Sequence, residues 1–141
     1  MRVRDVMTAQ VVTGRPTDPV QQIARIMSEI DSGVVPVCEG DKVVGLVTDR
    51  DIVLRVVAEG RELGTPVAEI MTEGVQTCRD DDDVASAAEQ MARLQMRRLV
   101  VLDGNDKLAG ILSLGDIAGE DRSKHVGRVL EEISDPGDER R

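Results

Sequence analysis

The chain of 141 residues repeats itself, and that constrains its fold more than any other feature. Shifted by 64 positions, Val3-Arg4-Asp5-Val6-Met7-Thr8 falls on Val67-Ala68-Glu69-Ile70-Met71-Thr72. Val11 then meets Val75, Thr13 meets Thr77, Asp18 meets Asp82, Val20 meets Val84, Met27 meets Met91 and Val37 meets Val101. Past Gly40 and Gly104 the shift becomes 65, so that Gly45 meets Gly110, Asp51 meets Asp116 and Ile52 meets Ile117. A single residue inserted at a turn is what a hairpin loop absorbs. The repeat divides the chain into 1–62, 63–120 and a polar tail at 121–141, with a linker at Gly60–Pro66.

Both copies read alike. In the first, a helical turn at Val3–Met7 precedes a short strand at Val11–Thr13. Pro16-Thr17-Asp18-Pro19 starts a helix, with Thr17 or Asp18 as its cap and Pro19 in its first turn. Val20, Ile23, Ala24, Met27 and Ile30 mark one helical face, and Asp31-Ser32-Gly33 ends it. A hairpin follows, Val34–Cys38 and Val43–Thr48. A closing helix, Asp49–Ala58, turns Ile52, Val53, Val56 and Val57 inward. The second copy has a strand at Val75–Cys78, a helix at Asp82–Gln95, a hairpin of Leu99–Asp103 and Lys107–Ser113, and a helix from Leu114. The fold class is α+β. Each β-α-β-β-α unit has a sheet whose open face needs covering, so the two are expected to pack sheet to sheet with pseudo-two-fold symmetry and related clefts.

Composition narrows the function classes. The net charge of −9 opposes a phosphate backbone or an anionic membrane, and no Phe, Tyr or Trp is present to stack on bases. No apolar run reaches the roughly 20 residues that span a bilayer. No signal-peptide stretch follows Arg2 and Arg4, so the cytoplasm is the expected compartment. Cys38 and Cys78 form neither a CxxC nor a metal motif, and read as small buried hydrophobes. Asp80-Asp81-Asp82-Asp83 reads as a solvated helix start, and His125 as a surface residue. No hydrolase triad, metal cluster or Walker loop is visible, so no catalytic residue is assigned and no cofactor is required. Val126, Val129, Leu130 and Ile133 suggest a short amphipathic helix in the tail.

Chemistry gathers where each hairpin ends: Gly45-Leu46-Val47-Thr48-Asp49-Arg50-Asp51-Ile52 and Gly110-Ile111-Leu112-Ser113-Leu114-Gly115-Asp116-Ile117. A hydroxyl followed three residues later by an acid is close to a capping box. The same atoms, at a helix start, suit an anion and a ribose diol. Spacing alone does not choose between the two.

In its order of motifs and their doubling, the chain from Val3 to Glu120 resembles the CBS domain, named for cystathionine β-synthase, and the tandem resembles a CBS pair or Bateman module. Arg97-Arg98-Leu99-Val100-Val101 with the Gly110–Ile117 string is also similar to a repeat in the regulatory subunit of AMP-activated protein kinase. The resemblance implies a regulatory module that binds AMP, ADP, ATP, NAD or S-adenosylmethionine. It implies dimerisation into a disc and signalling to an effector protein, with an adenine nucleotide as regulatory ligand.

Carried over by position, Thr48 with Asp51 and Ser113 with Asp116 would hold phosphate and ribose. Val12, Thr13, Gln76 and Thr77 would wall the adenine. Val34, Val35 and Pro36 would line one cleft, Arg98 and Leu99 the other, with Arg97 and Arg98 neutralising phosphate. Gly33 and Val34 stand in the first copy where the second has Arg97 and Arg98, and Gly115 replaces a polar residue of the kinase repeat. The copies are therefore expected to differ in binding. The competing reading is a structural dimerisation or docking module with vestigial clefts.

Overall fold

The computed structural model describes residues 1–9 and 11–120, with the side chain of Glu120 left out of account. The tail readings at His125 and Val126–Ile133 lie outside the described residues. The described residues form two compact units, one of residues 1–9 with 76–120, the other of Val11–Val75. These units are not coextensive with the sequence repeats, because the leading segment of each repeat packs with the body of the other.

In the unit Val11–Val75, helix α1 (Val20–Ile30) precedes strands β1 (Val34–Glu39) and β2 (Lys42–Thr48), an antiparallel hairpin. Helix α2 (Asp49–Ile52) continues as a π-helical turn over Val53–Val57. Thr72 adds to the edge of β2: Leu46 N–H donates to the Thr72 carbonyl at 2.9 Å and Thr72 N–H returns to Leu46 at 2.8 Å. Val67 and Ile70 enter a core of Val20, Ile23, Met27, Val35, Val37, Val47 and Val56.

The other unit holds β3 (Thr77–Arg79), α3 (Val84–Leu94), β4 (Arg98–Leu102), β5 (Leu108–Ser113) and α4 (Leu114–Glu120). Its sheet order is β3-β4-β5, with β3 parallel to β4 and β4 antiparallel to β5. Thr8 pairs with Ile111 at the edge of β5. Val3 joins a core that includes Val84, Ala88, Met91, Leu99, Leu112 and Ile117.

The two attachments follow one hydrogen-bond plan. Val67 N–H donates to the Asp18 carbonyl at 2.8 Å, and Val3 N–H to the Asp82 carbonyl at 2.9 Å. Ala68 donates to Pro16 at 3.0 Å as Arg4 does to Asp80 at 2.9 Å. The Asp80–Asp83 run is thus a turn whose carbonyls hold the N-terminal segment. Its side chains cap: Asp82 accepts the Arg79 N–H at 2.9 Å and Asp83 the Ala85 N–H at 3.1 Å.

Three expectations are corrected. Val11–Thr13 is not a strand, and only Gly14 bridges to Val37. The reason is two prolines. In the second copy Val100 N–H donates to the Gln76 carbonyl at 3.1 Å and Asp80 N–H to Leu102 at 2.9 Å. The corresponding residues in the first copy are Pro36 and Pro16, which have no N–H to give.

Neither Thr17 nor Asp18 caps α1. Pro19 is its N-cap, and linker carbonyls take the first N–H groups, Val20 to Thr65 at 2.9 Å and Gln21 to Leu63 at 3.1 Å. The buried Asp18 instead accepts the Arg15 N–H at 2.8 Å.

Val53 and Val57 do not face inward. They are 55% and 67% exposed, while Val56 is buried at 1%. The π turn, seen in Ala58 N–H donating to Val53 at 2.9 Å, changes the angle per residue and rotates both out.

Candidate functional site

The two hairpin ends build the same local device. Thr48 leaves β2 with extended backbone, φ −114° and ψ 164°, and its hydroxyl accepts the Asp51 N–H at 3.1 Å. The Asp51 carboxylate reaches back to accept the Thr48 N–H at 2.9 Å through Oδ2. Ser113 and Asp116 repeat this at 3.0 Å in both directions. The capping box is therefore real in both copies. It uses one oxygen of each carboxylate and leaves the chemistry of the other to its surroundings.

The first N–H of each closing helix is tied as well. Asp49 N–H donates to the Gly33 carbonyl at 2.9 Å, and Leu114 N–H to the Arg97 carbonyl at 2.8 Å. This sets the residue preceding each hairpin against the junction. Register then places Val34 opposite Thr48, and Arg98 opposite Ser113. The second junction thus brings Arg97, Arg98, Ser113 and Asp116 together, whereas the first has Gly33 and Val34 beside Thr48 and Asp51. Gln76 and Thr77 are exposed beside Val100 in the same unit as Arg98. Val12 and Thr13 are exposed.

Val35 and Leu99 lie in the cores with 0% exposure, because alternate residues of a strand face opposite sides. Their side chains pack in those cores. Val34 and Pro36 are buried too, outside that core cluster.

The surroundings of the two carboxylates differ. Asp51 is 13% exposed and has Arg55 Nε at 3.9 Å from Oδ1. The Thr72 hydroxyl lies 3.5 Å from its Oδ1 and 3.4 Å from its Oδ2. Asp116 has only the Ser113 N–H as partner among the described residues. Sequence reasoning missed Arg55 and Thr72. The four-residue spacing from Asp51 to Arg55 was a usable signal for the first. Thr72 approaches only through the pairing of its segment with β2, which no local spacing reveals.

The thiols are not part of this chemistry. Cys38 and Cys78 are both buried and reduced. Burial, with Asp82 nearby, pushes the Cys78 thiol up to about 11, and burial with Asp41 raises Cys38. Such thiols are poor nucleophiles at neutral pH. Among the described residues, no group of three or more His, Cys, Asp or Glu side chains could hold a metal ion. No described helix is long and apolar enough to cross a membrane.

Known proteins are similar to this chain in sequence and fold. The CBS domain profile matches residues 3–58 and 67–122. The CBS domain-containing protein YhcV of Bacillus subtilis is 39% identical over 133 residues, covering 94% of each chain. A CBS domain protein from Pyrobaculum aerophilum, solved in complex with AMP, is 27% identical with a TM-score of 0.77, over 95% of this chain and 98% of that one. The CBS domain pair of protein MJ0100, solved with 5′-methylthioadenosine and S-adenosyl-L-methionine, is 25% identical with a TM-score of 0.74, over 84% of this chain and 94% of that one. With both repeats matched, and their segments, hairpins and junctions built alike, the chain belongs to the CBS domain family as a tandem pair.

Proposed function

We propose that the chain is a regulatory module that binds an adenosine-containing ligand and transmits its occupancy to a partner protein. The observation that carries this is the junction at Ser113 and Asp116. There a hydroxyl, a carboxylate with one oxygen outside the capping box, and the Arg97-Arg98 pair meet at a strand-to-helix turn. A carboxylate oxygen suits a vicinal diol, and guanidinium groups suit phosphate. The relatives solved with AMP and with S-adenosylmethionine support the choice of ligand class. Signalling is a population shift: the ligand favours one arrangement, which an effector reads. The role is binding, not catalysis. The same proposal has the chain work as a cytoplasmic homodimer, where a reducing poise keeps both thiols unpaired.

Calorimetric titration with AMP, ATP, NAD and S-adenosylmethionine tests the reading. Saturable binding of at least one is expected, lost when Asp51→Asn and Asp116→Asn are combined. No heat from any of them at millimolar concentration would end it.

A second reading, a dimerisation or docking module with vestigial ligand sites, is favoured by one observation. Val53, Leu54 and Val57 expose apolar surface, at 55%, 46% and 67%. Under it the protein self-associates identically with and without ligand, which sedimentation in the presence of AMP distinguishes.

A further inference from the structure

We infer that the two junctions are functionally unequal: the chain takes one adenosine ligand, at Asp116, while the protein itself holds Asp51 through Arg55 and Thr72. This rests on the nucleotide-binding reading above and adds to it a stoichiometry, a location and a residue that sets both.

Arg55 is fixed from two sides. Its Nη1 donates to the Ile70 carbonyl at 3.0 Å and to the Met71 carbonyl at 3.4 Å. Its Nε lies 3.9 Å from Asp51 Oδ1. The Thr72 hydroxyl points at the same carboxylate. One guanidinium, anchored on the Ile70 and Met71 carbonyls, and the Thr72 hydroxyl thus approach Asp51, whose side chain is 13% exposed. A ribose diol that bonds Asp51 must compete for the carboxylate with the charge of this guanidinium and with the Thr72 hydroxyl. Thr72, next to the carbonyls that anchor Arg55, also pairs with Leu46 at the edge of β2.

Among the described residues, the second junction has no such clasp. The counterpart of Thr72 is Thr8, which pairs with Ile111 through its backbone. The counterpart of Arg55 is Glu120, an acid, which cannot stand in for a guanidinium beside a carboxylate. Asp116 accepts one hydrogen bond among the described residues, from Ser113. Arg97 and Arg98 stand here where the first copy has Gly33 and Val34.

The test uses the full chain with AMP as the probe. Calorimetry is expected to give one AMP per chain, with affinity falling roughly tenfold or more in Asp116→Asn. Arg55→Gln, which removes the charge and the Nη1 donor to the Ile70 carbonyl, is expected to raise the stoichiometry to two. Methyl NMR of the unmutated protein reads the same point without relying on variants that fold. The Ile117 methyl, next in sequence to Asp116, shifts at low AMP, while the Ile52 methyl, next to Asp51, does not. Two equal sites in the unmutated protein, a stoichiometry unchanged in Arg55→Gln, or Ile52 shifting first would overturn the inference and leave nucleotide binding standing. Silence with AMP, ATP, NAD and S-adenosylmethionine alike would overturn the nucleotide reading beneath it.

Discussion

Thr8 and Ile111 exchange both backbone hydrogen bonds, Thr8 N–H to the Ile111 carbonyl at 2.9 Å and Ile111 N–H to the Thr8 carbonyl at 3.0 Å. A residue from the start of the first repeat thereby closes the sheet edge of the second. Gly110 makes room for it. A β-carbon there would fall on the Thr8 carbonyl oxygen and lie 3.0 Å from Met7 Sδ. At Gly45 it would meet Met71 Sδ at 2.6 Å and the Thr72 carbonyl at 3.0 Å.

The two glycines should therefore differ in tolerance. The worst contact at Gly45 is a flexible thioether, whereas at Gly110 it is backbone. Urea denaturation is expected to show Gly110→Ala destabilised by about 2 kcal/mol and Gly45→Ala by about 1 kcal/mol. Equal losses would mean that the Met71 side chain cannot move aside.

Charge and capping can be separated at Asp116. The amide oxygen of Asp116→Asn can still accept the Ser113 N–H, so the melting temperature should move by no more than about 4 °C. Ser113→Ala removes the acceptor of the Asp116 N–H and should cost about 1 kcal/mol. If the carboxylate holds a diol, 2′-deoxy-AMP should bind the unmutated protein roughly tenfold more weakly than AMP. Equal affinities of AMP and its deoxy analogue would remove the ribose from Asp116.

Cys78 gives a signed pH dependence. Its folded value of about 11 lies above its ordinary 9.0, so the folded state holds the proton more tightly. The stability this contributes is complete below about pH 9 and is lost as the pH rises towards 11. Iodoacetamide labelling should be slow at pH 7.5 in the folded protein, and fast in urea. Rapid labelling without urea would show that Cys78 is less enclosed than its 5% exposure indicates.

Asp103 runs the other way. It accepts the Asn105 N–H at 2.8 Å and the Lys107 N–H at 3.1 Å, and these bonds hold its carboxyl below the usual range. Its contribution to the β4–β5 turn is present above the ordinary carboxylate value and lost as pH falls through its folded one. In an NMR titration the Asn105 and Lys107 amides should shift together, with a midpoint below the ordinary carboxylate value. A midpoint above the ordinary value would contradict the turn geometry.

The hairpins, both long helices and the two capping boxes were legible because each is set by local pattern: alternation, three- and four-residue spacing, and a hydroxyl three residues before an acid. The missing strand at Val11–Thr13 was legible in principle. Pro16 and Pro36 stand where the second copy needs N–H donors, but seeing this requires knowing which strands pair. The outward turn of Val53 and Val57 was not legible, since a π turn breaks the period on which the reading relied.

By itself the sequence determined the doubling, the element types and the residues that carry chemistry, because these follow from composition and period along the chain. Tertiary structure alone decided which repeat each leading segment completes, and therefore which residues stand beside each carboxylate. Thr72 reaches Asp51 across 21 positions only because its segment is hydrogen-bonded to the edge of β2. An open strand edge accepts any segment that satisfies its N–H and carbonyl groups, so its partner is fixed by how the chain closes in space.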